Sequence, residues 1–101
     1  MPNPAILRDV EFDWDPDKAT SNLRKHGVSF DEAATVFADP LSITVPDPDH
    51  SQNEERFIIV GLSFSRRLLI VAHTERGLII RLISARELTA TEQSAYETGE
   101  F

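Results

Sequence analysis

The sequence predicts an α+β fold: an antiparallel β-meander with two short helices on its N-terminal side and one helix on its C-terminal side. Three observations carry that reading. Apolar residues at helical spacing occupy residues 16–37, three apolar runs joined by short turn-like segments fill residues 57–84, and a capping signature at Thr89 opens a last helix. The 101 residues suit a single domain over 1–101, and 41% hydrophobic with 27% charged residues suits one water-exposed globule with its own core. The chain has no cysteine, which excludes a disulfide framework, a thiol nucleophile and a thiolate metal site. It also lacks the run of about 18 apolar residues that a membrane helix needs, and it has no basic and apolar leader, so no membrane contact and a cytoplasmic location are expected.

Residues 1–7, with Pro2 and Pro4, have no period and read as a loose lead. Val10, Phe12 and Trp14 alternate with Glu11 and Asp13, the pattern of an edge strand with one buried face. Asp15 before Pro16 is a helix cap followed by proline at the first helical position, and Gly27 supplies the left-handed stop. Between them Ala19, Leu23 and His26 form the expected inward face. Ser29 and Glu32 have capping-box spacing, and Phe30, Ala33, Ala34 and Phe37 continue as a second helix that Asp39-Pro40 ends. A short strand is expected over 42–45 and a polar loop over 46–54.

The meander follows as runs 57–64, 68–74 and 78–84, with turns at Ser65-Arg66 and Glu75-Arg76-Gly77. Both faces of these strands are largely apolar, so helices or a partner must cover much of the second face. Thr89 and Glu92 form another capping box, before a helix whose thin apolar face rests on Leu88, Ala95 and Tyr96.

The net charge of −7 opposes diffuse attraction to nucleic acid. Its distribution is uneven, however. Residues 1–55 hold four basic and twelve acidic side chains, residues 56–86 hold six and one, and residues 87–101 hold none and four. The basic middle block consists of Arg56, Arg66, Arg67, Arg76, Arg81 and Arg86, and local potential decides where a polyanion docks.

An ordered set of motifs runs through nearly the whole chain. It begins with Trp14-Asp15-Pro16, Lys18, Asn22, the run from Lys25 to Phe30, Glu32-Ala33 and the run from Val36 to Pro40. It continues with Glu55-Arg56, Gly61, His73-Thr74-Glu75-Arg76-Gly77, the run from Arg81 to Arg86, and Tyr96-Glu97. In these motifs the chain resembles the BrnT family, the toxins of BrnT–BrnA toxin–antitoxin systems. The resemblance implies a RelE-like fold, endoribonuclease activity that inhibits translation, and neutralisation by a BrnA-like antitoxin with a ribbon-helix-helix domain, through which alone DNA would be contacted. The chain departs from the family pattern where members commonly carry basic residues on the last helix, having Glu87, Leu88, Thr91 and Gln93 there, and it has Leu78 and Ile79 where relatives tend to be polar.

A ribonuclease of this kind needs no metal or other cofactor. It must take a proton from the 2′-hydroxyl, stabilise charge at phosphorus and protonate the leaving 5′-oxygen. The candidate catalytic residues are His73, Arg81, Arg56 and Tyr96, with Arg86, Arg76, Lys25 and Ser84 as RNA-binding candidates. Each has a structural alternative. His73 is either the acid–base group or a core-edge imidazole, and Arg81 either meets phosphate or pairs with Glu75 or Glu55. Hairpin register decides whether His73 and Arg81 share a face. Tyr96 either stacks on a base or docks the last helix, Arg66 and Arg67 read as exposed turn charges, and His26 is either a helix-terminal structural residue, the favoured reading, or a catalytic one. Asp47, Asp49 and His50 have turn chemistry without metal-ligand spacing.

The antitoxin is expected across Arg56, Arg76, Arg81 and Arg86, with Leu78 and Ile79 in the interface core. The acidic tail motivates a second reading: a non-catalytic, toxin-like module that binds an antitoxin and co-regulates transcription.

Overall fold

The computed structural model describes residues 10–47 and 55–101; the expected lead over 1–7 and the centre of the expected polar loop, residues 48–54, lie outside them. In chain order the elements are β1 (Glu11–Asp13), α1 (Pro16–His26), α2 (Phe30–Thr35) with a 3-10 turn at Val36–Ala38, β2 (Ile43–Pro46), β3 (Arg56–Leu62), β4 (Leu68–Arg76), β5 (Ile79–Glu87) and α3 (Ala90–Glu97).

One five-stranded sheet has the order β1-β5-β4-β3-β2. Strands β2 to β5 are antiparallel neighbours, as expected of the meander. The sheet as a whole is mixed, because β1 pairs in parallel with the far strand β5, Phe12 opposite Ile80. A parallel neighbour requires a crossover, and everything between the two strands supplies it. Helix α2 and its 3-10 turn cover one face of the sheet, with the core beneath them, while α1 packs along the β5 edge through Asn22. Val28, Phe30, Ala33 and Val36 pack there on Ile59, Leu69, Val71, Leu82 and Ala85. Trp14 and Phe12 close its margin edge-on to Phe30 and Phe37, at centroid distances of 5.8 and 5.2 Å. Among the described residues no helix is long and apolar enough to cross a membrane.

The caps act largely as the sequence requires. Asp15 accepts from the Asp17 N–H at 2.8 Å, and Gly27, at φ +68°, donates to the Leu23 carbonyl at 2.9 Å. Thr89 and Glu92 form the reciprocal capping box. The box at Ser29 is only half made: Ser29 Oγ accepts from the Glu32 N–H, but the Glu32 carboxylate turns away to Arg67 and Ser63. The expected inward face of α1 holds only at Ala19, which packs against the core. Leu23 is 52% exposed and His26 is exposed, while Asn22 is the buried residue of the helix. Periodicity misassigned this face because a polar side chain, saturated with backbone hydrogen bonds, occupies the contact.

Gly61 marks a close approach of β3 to the chain that follows α2. A Cβ there would stand 2.9 Å from both Asp39 Oδ2 and Ser42 Cβ. Asp39 is not free to retreat, since its carboxylate accepts from the Leu41 and Leu62 N–H groups at 3.0 and 2.8 Å. Gly61→Ala should therefore lower the unfolding free energy by about 1–3 kcal/mol, read as a reduced urea midpoint with unchanged slope. A midpoint equal to wild type would contradict the close approach.

Candidate functional site on the open face of the sheet

Register determines which side chains meet. Arg76 pairs with Ile79 across a two-residue turn, Gly77-Leu78, in which Gly77 takes φ +62°. From that turn His73 falls opposite Leu82 and Arg81 opposite Thr74, so His73 and Arg81 lie on opposite faces of the sheet. Arg56 of β3 is also opposite Thr74, which puts Arg56 and Arg81 together on the face away from α2. Arg86 is five residues beyond Arg81, an odd spacing that in regular β-structure reverses the face. A β-bulge corrects this: Ala72 pairs with Ser84 and His73 with Leu82, leaving Ile83 as the extra residue. Arg56, Arg81 and Arg86 consequently share one open face.

A cavity of about 330 Å³ lies on that face. Its floor is apolar, from Ile58, Ile70, Ala72 and Ile83, and Asp47, Arg56, Ser84, Arg86 and His26 stand around it. A second cavity of about 170 Å³ shares His26, Ile83 and Ser84 with the first and extends to Lys18 and Lys25 on α1. The two form one depression with cationic side chains at both ends. Asn22 fixes α1 beside it: its Nδ2 donates to the carbonyls of Val28 and Ala85 at 3.0 and 2.8 Å, and its Oδ1 accepts from the Ala85 N–H at 3.0 Å.

Residues 14–92 match the family described as the ribonuclease toxin BrnT of type II toxin–antitoxin systems. The chain belongs to the BrnT family. Among solved structures it is similar to the ribonuclease toxin BrnT of Brucella abortus, with 19% identity and a TM-score of 0.59, over 79% of this chain and 97% of that one. That likeness concerns the fold. No curated protein matches the sequence.

In this BrnT-family chain two cations of the open face, Arg81 and Arg86, are held by carboxylates. Arg86 forms a two-pronged pair with Glu92 at 2.7 and 2.9 Å, which raises the arginine pKa and depresses that of Glu92 to about 2. Arg81 pairs at 2.6 Å with Asp13 of β1, not with Glu75 or Glu55. Sequence separation hid that partner, which becomes a neighbour only through the parallel β1–β5 pairing. Arg67 is not a simple turn charge either. It forks onto Glu32, reaches the Gly27 carbonyl at 3.0 Å, and, as the leading cause, holds the Glu32 carboxyl below its ordinary range. Arg66 is exposed, at φ +65°.

The remaining candidates are dispersed. His73 is 0% exposed on the helix-covered face, 4.8 Å from the Phe37 ring and 5.9 Å from that of Phe57, with Nε2 2.9 Å from Glu75. It therefore has no surface on the depression. The Tyr96 hydroxyl donates to the Leu41 carbonyl at 2.9 Å, near the start of β2, and burial pushes its pKa up. Ser84 and Lys25 are exposed at the depression, whereas Arg76 is exposed beside the β4–β5 turn. Leu78 and Ile79, at that turn, are 60% and 41% exposed. Asp47 is buried and its N–H donates to the Arg56 carbonyl at 2.8 Å, while Asp49 and His50 lie outside the described residues. His26, for which sequence reasoning favoured a structural role over a catalytic one, borders both cavities. Its signal was present: a histidine next to a glycine stop has little helix left to pack behind.

The Arg86–Glu92 pair gives a pH signature. Because the Glu92 pKa is lowered from 4.5 to about 2, its stabilisation is complete above the unfolded value and disappears as pH falls through the folded one. With Arg86 40% exposed, solvent screening limits it to about 1 kcal/mol. Wild type should exceed Glu92→Gln in stability by that amount at neutral pH, and the two urea curves should converge as the pH is lowered to about 2. A gap independent of pH would contradict the assignment.

Proposed function

We propose that this chain is a metal-independent endoribonuclease toxin that inhibits translation in the cytoplasm by cleaving single-stranded RNA on the open face of a RelE-like sheet. The observation that carries the reading is the convergence of Arg56, Arg81 and Arg86 on one face, beside a depression bounded by Lys18 and Lys25. Guanidinium groups suit phosphate through paired donors, and an apolar floor suits the faces of unstacked bases. In the reaction Arg56 and Arg86 hold the scissile phosphate and offset the charge that grows on it, with Arg81 on the neighbouring phosphate. Arg76, Lys25 and Ser84 extend the contact, and Tyr96 supports α3, which carries the Glu92 partner of Arg86. RNA must displace that carboxylate, so the acidic tail moderates binding without removing the cations.

The partner we propose is a BrnA-like ribbon-helix-helix antitoxin whose acidic side chains cover Arg56, Arg76, Arg81 and Arg86. Exposed Leu78 and Ile79 give that contact an apolar centre, and DNA is met only through the antitoxin. A second reading, a non-catalytic module that binds the antitoxin and co-regulates transcription, draws support from Arg81 and Arg86 being already neutralised by Asp13 and Glu92.

Expression without antitoxin should arrest growth, and the purified protein should cut single-stranded RNA equally well with and without chelator. Arg56→Ala and Arg86→Ala should each slow cleavage by about 10²-fold. Antitoxin binding without any cleavage by the wild-type chain would favour the non-catalytic module instead.

A further inference from the structure

We infer that His26, at the C-terminal end of α1, takes the proton from the attacking 2′-hydroxyl in the depression of the open face. This rests on the nuclease reading above and adds the residue that the cation cluster lacks, since arginines stabilise charge but remain protonated and cannot accept a proton.

Two independent features converge on His26. The larger cavity, with Arg56 and Arg86, and the smaller one, with Lys18 and Lys25, meet at His26, Ile83 and Ser84. An RNA strand running from one cationic end to the other therefore passes this imidazole. Of the two histidines among the described residues, His26 is exposed, whereas His73 is fully buried beneath Phe37 on the opposite face. The position is also built. Asn22 sits one helical turn before His26 and is buried, with three hydrogen bonds to the backbone of Val28 and Ala85. That anchor holds the last turn of α1 against β5, where the bulge at Ile83 turns Ser84 to the same side. Asp47 borders the cavity too, but it is buried, whereas His26 is exposed.

The step balances without a metal. The 2′-oxygen gives its proton to an imidazole nitrogen of His26 and forms a bond to phosphorus, and the bond from phosphorus to the 5′-oxygen breaks. Water protonates the departing 5′-oxygen, and the imidazolium later releases its proton to solvent. The products are a 2′,3′-cyclic phosphate and a 5′-hydroxyl.

The test compares wild type, His26→Gln and His26→Ala on a mixed-sequence single-stranded RNA, alongside binding of an uncleavable 2′-O-methyl oligonucleotide. Single-turnover cleavage by both variants should fall about 10²-fold or more while oligonucleotide affinity stays within about twofold, and free imidazole should partly restore His26→Ala. A variant rate near wild type, an equal loss of affinity, or no response to imidazole overturns the assignment while leaving the nuclease reading intact. A wild-type chain that cuts no RNA overturns both.

Discussion

The buried amide of Asn22 is the joint on which the arrangement of the open face depends. Strand β1 is short and pairs only with Ile79 to Arg81 of β5, so farther along β5 the outward N–H and C=O groups need another partner. At Ala85 the Asn22 side chain supplies one, accepting from the N–H and donating to the carbonyl as a peptide of a neighbouring strand would. A third bond, to Val28, ties the same amide to the chain that leaves α1. Each of these backbone groups would cost about 1–3 kcal/mol if left buried and unpaired, which makes this one side chain decisive for where the helix sits.

Two consequences reach the proposed site. One turn of helix beyond Asn22, His26 comes to rest next to Ser84, and the bulge at Ile83 turns Ser84 and Arg86 to the face already carrying Arg56 and Arg81. Without the extra residue, Arg81 and Arg86 would point to opposite sides of the sheet. The bulge and the asparagine thus do complementary work: one gathers the cations, the other brings a helix end to them. Ion pairs then set how strongly those cations are held in the absence of a partner. Arg86 is bound by Glu92 from the capping box of α3, and Arg81 by Asp13 from the edge strand.

Much of the fold was legible in the sequence because its signals are local. Asp15-Pro16, Gly27, Ser29 and the Thr89-Glu92 pair mark helix ends through contacts within a few residues, and the meander announces itself by apolar runs with short turns. The site was less legible because its determinants are not local. The bulge depends on how β5 registers against β4, and the parallel placement of β1 depends on a partner 68 residues away, as Asp13 and Arg81 illustrate. Asn22 stood out only as one position of a family motif; its burial follows from an interaction across 63 residues. His73 looked suited to catalysis by residue type and strand position, yet its phase in the strand directs it into an aromatic core.

Occupation of the depression between α1 and the open sheet face by RNA can be followed by NMR titration. Isotope-labelled protein would be titrated with an uncleavable 2′-O-methyl oligonucleotide, following backbone amides and histidine side chains. The largest shifts should fall at His26, Ile83, Ser84 and Arg86, with His73 and Trp14 little changed. Shifts concentrated around Trp14, Thr20 and Phe30, with the His26 and Ser84 signals unmoved, would contradict it.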